Sequence, residues 1–343
     1  MDPATHALTS FALARGIFPR RPWWFVLGVV LAGTIADVDL ASALFGPRAY
    51  LYARQTFTHS IWGAAVVFAV AVGIALGLRA KSSPPQKAGP TKDGNIAALY
   101  GAATLAAVLH LSMDVCTSAG VALLWPWREA RFAWDWLPGV DPWILALLLA
   151  GILLPELFGL VGSEIGAKDK APHGRNGAIA ALVLVLIYIG ARATLHGNAA
   201  AQLDAHTYQG ESPRRLAVFA DPLALVSWHG VVETATQICA VTVTAVESAR
   251  FDPESALCVH KPEDSPALTV AEQTEATKKF LQAARFPKAS VGATEDGTEV
   301  AVRDVRDSVE NEKRFAVAVR VLLDHKGKVT SQDILWASEV RLR

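Results

Sequence analysis

Histidine and aspartate side chains interrupt long apolar stretches in the first third of the 343-residue chain. An ionisable group inside a membrane helix costs about 3 kcal/mol even on a lenient insertion scale, so several such groups require a functional reason. Imidazole nitrogen and carboxylate oxygen together suit zinc, manganese or iron rather than calcium. The pattern therefore predicts a divalent-metal site. The candidate residues are His6, Asp37, Asp39, His59, His110 and Asp114.

The spacing of the candidates limits how they can be arranged. His110 and Asp114, in the stretch LHLSMDVC, are four residues apart and so project from the same side of a helix. Asp37 and Asp39 are two residues apart and diverge on a regular helix. If both of these carboxylates bind metal, the helix must be irregular at this point.

Other aspartates and histidines have simpler interpretations. An aspartate before proline is typical of a helix N-cap or a turn, and this is the first interpretation of Asp2, four residues before His6. The same pattern occurs at Asp141, Asp221 and Asp252. Histidines in polar stretches are interpreted as solvated surface residues, namely His173, His206 and His325. His196 and His229 could face the active side, although a role outside the site is favoured for both.

Five stretches are long and apolar enough to cross a bilayer, whose ~30 Å hydrocarbon core needs about 20 helical residues. They cover residues 23–44, 61–78, 96–116, 143–161 and 178–195, and a shorter apolar segment, 3–18, precedes them. Counting about 1.5 Å per residue from the connections places His6 level with Asp37, and His59 level with Asp114. The candidate ligands are therefore expected at one membrane face.

The distribution of Lys and Arg predicts which face this is. Basic residues gather in the connections 15–21, 79–92 and 168–175, which the positive-inside rule places in the cytoplasm. With an even number of crossings, the C-terminal part is expected outside, on the side of the metal face. The stretch MDPATHALTSFALARG is interpreted as retained structure rather than a signal peptide. The balanced formal charge of the chain gives no indication of a nucleic-acid partner.

After residue 195 the chain becomes polar, and alternating runs at 240–246, 299–303 and 315–323 predict strands. A surface helix is expected over 271–284. The fold class predicted is mainly α: a polytopic membrane helical bundle of about six helices over residues 1–199, followed by a small soluble α+β domain with an antiparallel sheet over 200–343. If that domain lies in an oxidising compartment, Cys239 and Cys258 are candidates for a disulfide, since Cys116 lies at a helix end near the bilayer.

Four motifs occur in an order that resembles a known family. DPATHALTSFALARG, IADVD, FTHSIWG and HLSMDVCTSAG, within the first 120 residues, resemble the YdjM-type family of bacterial membrane-bound metal-dependent hydrolases. The resemblance implies a multi-pass protein of the bacterial inner membrane with hydrolase activity.

A more distant resemblance concerns the mechanism. The succession His, Asp, His and then HxxxD is similar to zinc-dependent phospholipase C, whose clustered zinc ions bind phosphate oxygens and activate water. This similarity implies His6, Asp39, His59, His110 and Asp114 as ligands. That family supplies a further His and Glu downstream, whereas residues 117–145 here offer Glu129, Asp135 and Asp141.

The leading hypothesis is a metal-dependent hydrolase, with zinc as the first choice of metal and manganese or iron as alternatives. Its substrate would be a phosphoester, either a small molecule or a membrane lipid that enters from the bilayer. Asp37, if it is not a ligand, is the candidate for orienting or deprotonating the attacking water. One alternative is a transporter or ion pathway in which the buried Asp and His residues relay protons. The other is a membrane anchor for a functional C-terminal domain.

Overall fold

The computed structural model describes residues 1–82, 92–164, 174–246, 251–306 and 316–340. The chain forms two compact units. The first consists of Met1–Val38, Gln55–Arg128 and Phe132–Ala193, and the second of Asp39–Arg54, Glu129–Arg131 and Thr194–Arg343. Two short segments from the first half of the chain, 39–54 and 129–131, therefore belong to the second unit.

Helices dominate the first two hundred residues. The α-helices are α1 (Pro3–Ile17), α2 (Trp23–Ala32), α3 (Pro47–Ala53), α4 (Ile61–Ser82), α5 (Lys92–Val115), α6 (Pro142–Glu164) and α7 (Arg175–Asp204). A 3-10 helix, Ile35–Phe45, follows α2. Among the described residues, four helices are long and apolar enough to span a membrane: Ile61–Ser82, Ile96–Val115, Pro142–Gly159 and Arg175–Asp204. The predicted polytopic helical architecture is confirmed.

The fifth predicted span is not one straight helix. The stretch 23–44 consists of α2 and the 3-10 helix, which are bent relative to each other by 57°. The α-helix ends at Gly33, and the Thr34 hydroxyl donates to the carbonyl oxygen of Val30 at 2.8 Å. This break supplies the irregular backbone that the spacing of Asp37 and Asp39 requires.

Small residues bring the helices of the first unit close together. Helix α2 packs against α1, α4 and α5, and its Phe25 and Val29 are fully buried among alanines of α4 and α5 such as Ala75 and Ala102. Without a hydrophobic driving force between helices in lipid, such close packing is a main source of association.

The second unit contains two antiparallel four-stranded sheets. The first has the order β1 (Arg215–Ala220), β2 (Ser227–Glu233), β3 (Gln237–Thr244) and β4 (Leu257–His260). The second has the order β5 (Pro287–Thr294), β6 (Gly297–Asp304), β7 (Val317–Leu323) and β8 (Val329–Trp336). The three predicted strands correspond to β3, β6 and β7, so the antiparallel α+β class is confirmed, but with two sheets.

The helix predicted over 271–284 is two helices, and the prediction of one is wrong. They are α8 (Pro266–Gln273) and α9 (Glu275–Ala283), and both pack on the second sheet. The chain turns at Thr274, whose backbone is extended and whose hydroxyl oxygen accepts a hydrogen bond from the Thr277 N–H. A threonine in this role ends one helix and caps the next.

The two cysteines of the first sheet form a disulfide. Cys239 of β3 lies directly opposite Cys258 of β4 in the strand register, and the structure joins their sulfur atoms. Cys116 is a free, buried cysteine. The pairing agrees with the expectation for a domain in an oxidising compartment.

This pairing predicts the thiol count of the protein. Of the three cysteines, one should react with iodoacetamide in denaturant without reductant, and all three should react after reduction. Closing a loop with a sequence separation of 19 should stabilise the folded state by ~3 kcal/mol, so reduction should lower the urea midpoint of the β-sheet signal. Mass spectrometry that finds all three thiols reactive in non-reduced protein would contradict the pairing.

Candidate metal centre

Three histidines and two aspartates meet inside the first unit. Their fractional exposure lies between 0 and 6 %. They are His6, Asp37, His59, His110 and Asp114. Residues from four separate parts of the chain are therefore brought together, as the counting of helix depths predicted for these five.

Helix α1 positions His6. Asp2 caps the helix by accepting a hydrogen bond from the Thr5 N–H at 3.0 Å, and Pro3 occupies the first helical position. One turn later, the Nε2 atom of His6 lies 3.0 Å from Asp114 Oδ1 and 4.0 Å from Asp37 Oδ2. The interpretation of Asp2 as an N-cap is confirmed.

Helix α5 supplies His110 and Asp114 from consecutive turns. The Nε2 atom of His110 lies 3.6 Å from Asp114 Oδ2, and the His110 ring contacts the His6 ring at a centroid distance of 3.8 Å, with the two planes tilted by 33°. The other ring nitrogen, Nδ1, lies 2.9 Å from the carbonyl oxygen of Gly33, to which only a protonated Nδ1 can donate. This bond leaves the Nε2 lone pair of His110 directed at the cluster, an arrangement typical of metal-ligating histidines.

His59 precedes α4 and completes the set of imidazoles. Its Nε2 atom lies 3.0 Å from Asp114 Oδ2, 3.2 Å from His110 Nε2 and 3.6 Å from Asp37 Oδ1. Its Nδ1 atom lies 3.0 Å from the Thr58 hydroxyl oxygen. Like His110, His59 therefore has a polar partner at Nδ1 and directs Nε2 inward.

A tight turn holds His59 against the start of α4. The Ser60 hydroxyl donates to the Phe57 carbonyl oxygen at 2.7 Å and accepts from the Gly63 N–H at 3.0 Å. A Cβ atom on Gly63 would lie 1.7 Å from the Phe57 carbonyl oxygen, so only glycine permits this approach. The motif FTHSIWG thus contains two residues, Ser60 and Gly63, that position His59 although neither is a candidate ligand.

Gly33 has a comparable role at the end of α2. A Cβ atom there would lie 1.9 Å from the Ser10 Oγ atom of α1. The absence of a side chain lets α1 pass close to the helix end whose carbonyl group orients His110. Gly33, in the stretch LAGTIADVD, therefore helps to position the cluster.

The donor set fits a divalent metal. Four of the residues, His6, Asp37, His110 and Asp114, each offer an atom within 4.8 Å of the others. Donors around a tetrahedral ion with bonds of about 2.0 Å are about 3.3 Å apart, close to the separations seen here. The α-amino group of Met1 also contacts Asp114 Oδ1, whereas the buried Oδ2 atom has no hydrogen-bond partner among the described residues despite its closeness to His59. Such an oxygen is suited to a cation.

Asp39 belongs to the second unit, where its surroundings are basic. Asp39 is buried, and its Oδ1 atom lies 2.9 Å from the Arg54 Nη1 atom. Arg131 in turn donates to the Arg54 carbonyl oxygen at 2.9 Å. Burial lowers the pKa of Arg131 to about 10, and the charges of Arg306 and Arg54 act in the same direction. An arginine thus balances the Asp39 charge, and the ligand role of Asp39 stays a prediction.

The acidic residues downstream have other contacts. Asp141 caps α6 by accepting from the Trp143 N–H at 2.9 Å and the Ile144 N–H at 3.1 Å. Asp221 and Asp252 make the corresponding bonds in the second unit, so the cap and turn interpretations are confirmed. Asp135 is buried at a positive φ of 61°, and Glu129 lies 3.7 Å from Lys279.

The remaining described histidines lie in the second unit. His229 Nε2 is 3.3 Å from Asp221 Oδ2, and the His196 ring meets the Trp228 ring edge-on at 5.6 Å. His325 is exposed, as expected. His206 is half-buried, with Nδ1 2.8 Å from the Gln202 carbonyl oxygen, so it is only partly exposed to solvent. His173 lies outside the described residues.

Comparison with known proteins identifies one family. A family model described as YdjM inner membrane protein matches residues 1–199, which is more than half of the chain and includes all five clustered residues. No curated protein and no solved structure matches the chain, so the more distant resemblance to zinc-dependent phospholipase C stays a prediction. The chain belongs to the YdjM inner membrane protein family.

Proposed function

We propose that the protein is a metal-dependent hydrolase of the inner membrane that cleaves a phosphoester. The observation that carries the proposal is the convergence of three imidazole Nε2 atoms on two buried carboxylates within one unit. Zinc is the metal that this mixture of nitrogen and oxygen donors favours, and manganese and iron are the alternatives.

The number of donors suggests a division of roles. A catalytic metal must keep one coordination position open for water, so not all of the five candidate donors present here need to be ligands. His6, His59, His110 and Asp114 are the ligands we propose, because Asp114 lies within 3.6 Å of each of the three imidazoles. Asp37 lies farther from His6, at 4.0 Å, and we assign it the role of orienting the attacking water.

The chemistry follows from these assignments. A divalent metal supplies Lewis acidity that makes water nucleophilic near neutral pH and offsets charge on phosphoryl oxygens. The Asp37 carboxylate orients the water and accepts its proton as the oxygen attacks phosphorus. The phosphoester bond then breaks, and the alcohol leaves after taking up a proton. Gly33 and Thr58 keep His110 and His59 in the orientation that the cluster requires.

Apolar side chains beside His59 support a lipid substrate. Phe57, Ile61 and Trp62 are 44, 56 and 59 % exposed, and all three lie within three residues of His59. A substrate that carries acyl chains could approach such a surface from the bilayer, with its phosphate group at the cluster. The substrate class we propose is therefore a membrane phosphoester, with a small-molecule phosphoester as the alternative.

We propose the periplasmic side for the C-terminal domain. Basic residues gather in the connections between α4 and α5 and between α6 and α7, which places those connections in the cytoplasm. The Cys239–Cys258 disulfide supports the same orientation, because disulfides persist in oxidising compartments. Finding that pair reduced in freshly isolated membranes would contradict the orientation.

The alternative of an ion pathway is less well supported. A proton relay needs polar groups through the depth of the bundle. In the described part of the first unit, a buried apolar core lies between the cluster and the other membrane face. It contains Phe25, Val29, Ala75 and Leu99. The polar groups are thus gathered at one end, as a catalytic site requires.

The central prediction concerns the two ligands on α5. His110→Ala and Asp114→Ala should lower bound metal, measured by elemental analysis, and should reduce hydrolysis of bis(p-nitrophenyl) phosphate on the order of 100-fold or more. Both variants should still insert, because one polar group fewer lowers the cost of placing the helix in lipid. Ser112→Ala is the matched control, since Ser112 lies between them on the exposed face of α5.

Two outcomes would remove the proposal. If both variants keep full metal and full activity, the site is wrongly placed. If the wild-type protein binds no divalent metal and instead drives ion flux in liposomes, the transport alternative replaces the hydrolase.

Asp37 and Asp39 can be separated by a pair of substitutions. Asp37→Asn should retain metal but lose hydrolysis on the order of 100-fold, because an amide cannot accept the proton of water. Asp39→Asn should retain most metal if its principal partner is Arg54. Metal lost in Asp39→Asn and retained in Asp37→Asn would instead assign the ligand role to Asp39, as the phospholipase C resemblance implies.

The positioning role of Gly63 gives a test that leaves every donor in place. Gly63→Ala should shift the turn that carries His59, because the added Cβ meets a backbone oxygen at 1.7 Å, and metal content should fall. Gly73→Ala on the same helix is the control, since its Cβ would meet no atom of the described residues within 4 Å. Equal metal content in the two variants, by elemental analysis, would show that this close approach does not position His59.

A further inference from the structure

A cavity of about 630 Å³ lies at the end of α1 remote from His6, where the chain turns into α2. This volume is within the range of small-molecule pockets. Its walls are of two kinds. Apolar side chains from both helices line one part, including Phe11, Val26, Leu27 and Val30, and three arginines line the other, Arg15, Arg20 and Arg21.

The arginines form a positive rim on this cavity. Arg15 pairs with Glu156 of α6, and its guanidinium lies 5.6 Å from the centroid of the Phe11 ring. Arg21 lies 5.3 Å from the centroid of the Phe25 ring. Arg20 is exposed in the turn between the two helices. The described groups of the rim are three guanidinium groups and the Glu156 carboxylate, and their summed charge favours an anionic ligand.

The cavity is separate from the metal centre. Arg15 lies nine residues after His6 on the same helix, which corresponds to about 14 Å along the helix axis. Arg20 and Arg21 lie farther still along the chain. A ligand in this cavity therefore serves a purpose other than hydrolysis at the cluster.

We propose that this cavity binds an anionic phospholipid from the leaflet at that end, which the orientation proposed above makes the cytoplasmic leaflet. The lipid phosphate lies at the arginine rim, and an acyl chain lies along the apolar faces of α1 and α2. Charge complementarity selects the headgroup, because basic pockets between membrane helices on the cytoplasmic side favour anionic lipids. Trp23, which lines this cavity and is exposed at the start of α2, is of the residue type that favours the headgroup region.

This lipid would contact both helices that lead to the metal centre. Helix α1 carries His6, and α2 ends at Gly33, four residues before Asp37. A lipid in the cavity between α1 and α2 adds packing contacts that the two helices lack on their own. The lipid would thus stabilise the pair without touching the cluster.

The test compares phosphatidylglycerol with phosphatidylcholine of the same acyl chains, added to purified protein and measured by native mass spectrometry. Wild-type protein should bind phosphatidylglycerol preferentially. Arg20→Gln/Arg21→Gln should weaken that binding roughly 30-fold, which corresponds to ~2 kcal/mol, or about 1 kcal/mol for each arginine. The control is Arg79→Gln/Lys81→Gln, which removes the same charge from the end of α4 outside the cavity.

A second variant tests the apolar wall without changing charge. Val30→Trp should fill the cavity and reduce binding of phosphatidylglycerol, whereas Val66→Trp, at an exposed position of α4, should not. The melting temperature in phosphatidylcholine nanodiscs shows that each variant is folded. The proposal is overturned if wild-type protein binds both lipids equally. It is also overturned if the Arg79/Lys81 control loses as much binding as the Arg20/Arg21 variant, or if folded Val30→Trp binds like wild type.

Discussion

The contact of Asp114 with three imidazoles is the interaction on which the first unit depends. A carboxylate buried at the end of a membrane helix is stable only where cations or hydrogen-bond donors surround it. His6, His59 and His110 approach it from α1, from the turn before α4 and from its own helix. These elements must therefore keep fixed relative positions, and the helix packing of the first unit is the means by which they do so.

Small residues make that packing possible. Gly33 allows α1 to pass close to the end of α2, and Gly63 allows the Phe57 carbonyl group to lie close to the start of α4. In lipid, close backbone approach replaces the hydrophobic effect as the source of helix association. The same residues that hold the helices together thus also orient His59 and His110, so stability and the geometry of the cluster cannot be varied independently at these two glycines.

The sequence predicted the parts of this arrangement that follow from helix geometry. The four-residue spacing of His110 and Asp114 determines their common face, and the lengths of the apolar stretches determine which residues share a depth. The size of the bend after Ala32 was not predictable, because the apolar stretch 23–44 continues on both sides of it. The sequence also did not predict that residues 39–54 belong to the second unit, because this depends on packing between residues distant in the chain. For the same reason, the alternating polar and apolar runs predicted β3, β6 and β7 but not the division of these strands between two sheets.

The division between units bears on Asp37 and Asp39, which the sequence treats as equivalent. They are two residues apart, yet Asp37 contacts histidines of the first unit while Asp39 pairs with Arg54 of the second. The 3-10 backbone between Ile35 and Phe45 directs the two side chains differently from a regular helix. A pair of carboxylates in one short motif can thus serve two purposes, one as part of the buried His/Asp cluster and one as the counter-charge of the half-buried Arg54. The motif IADVD alone does not distinguish them, because the difference lies in the partners that each side chain meets.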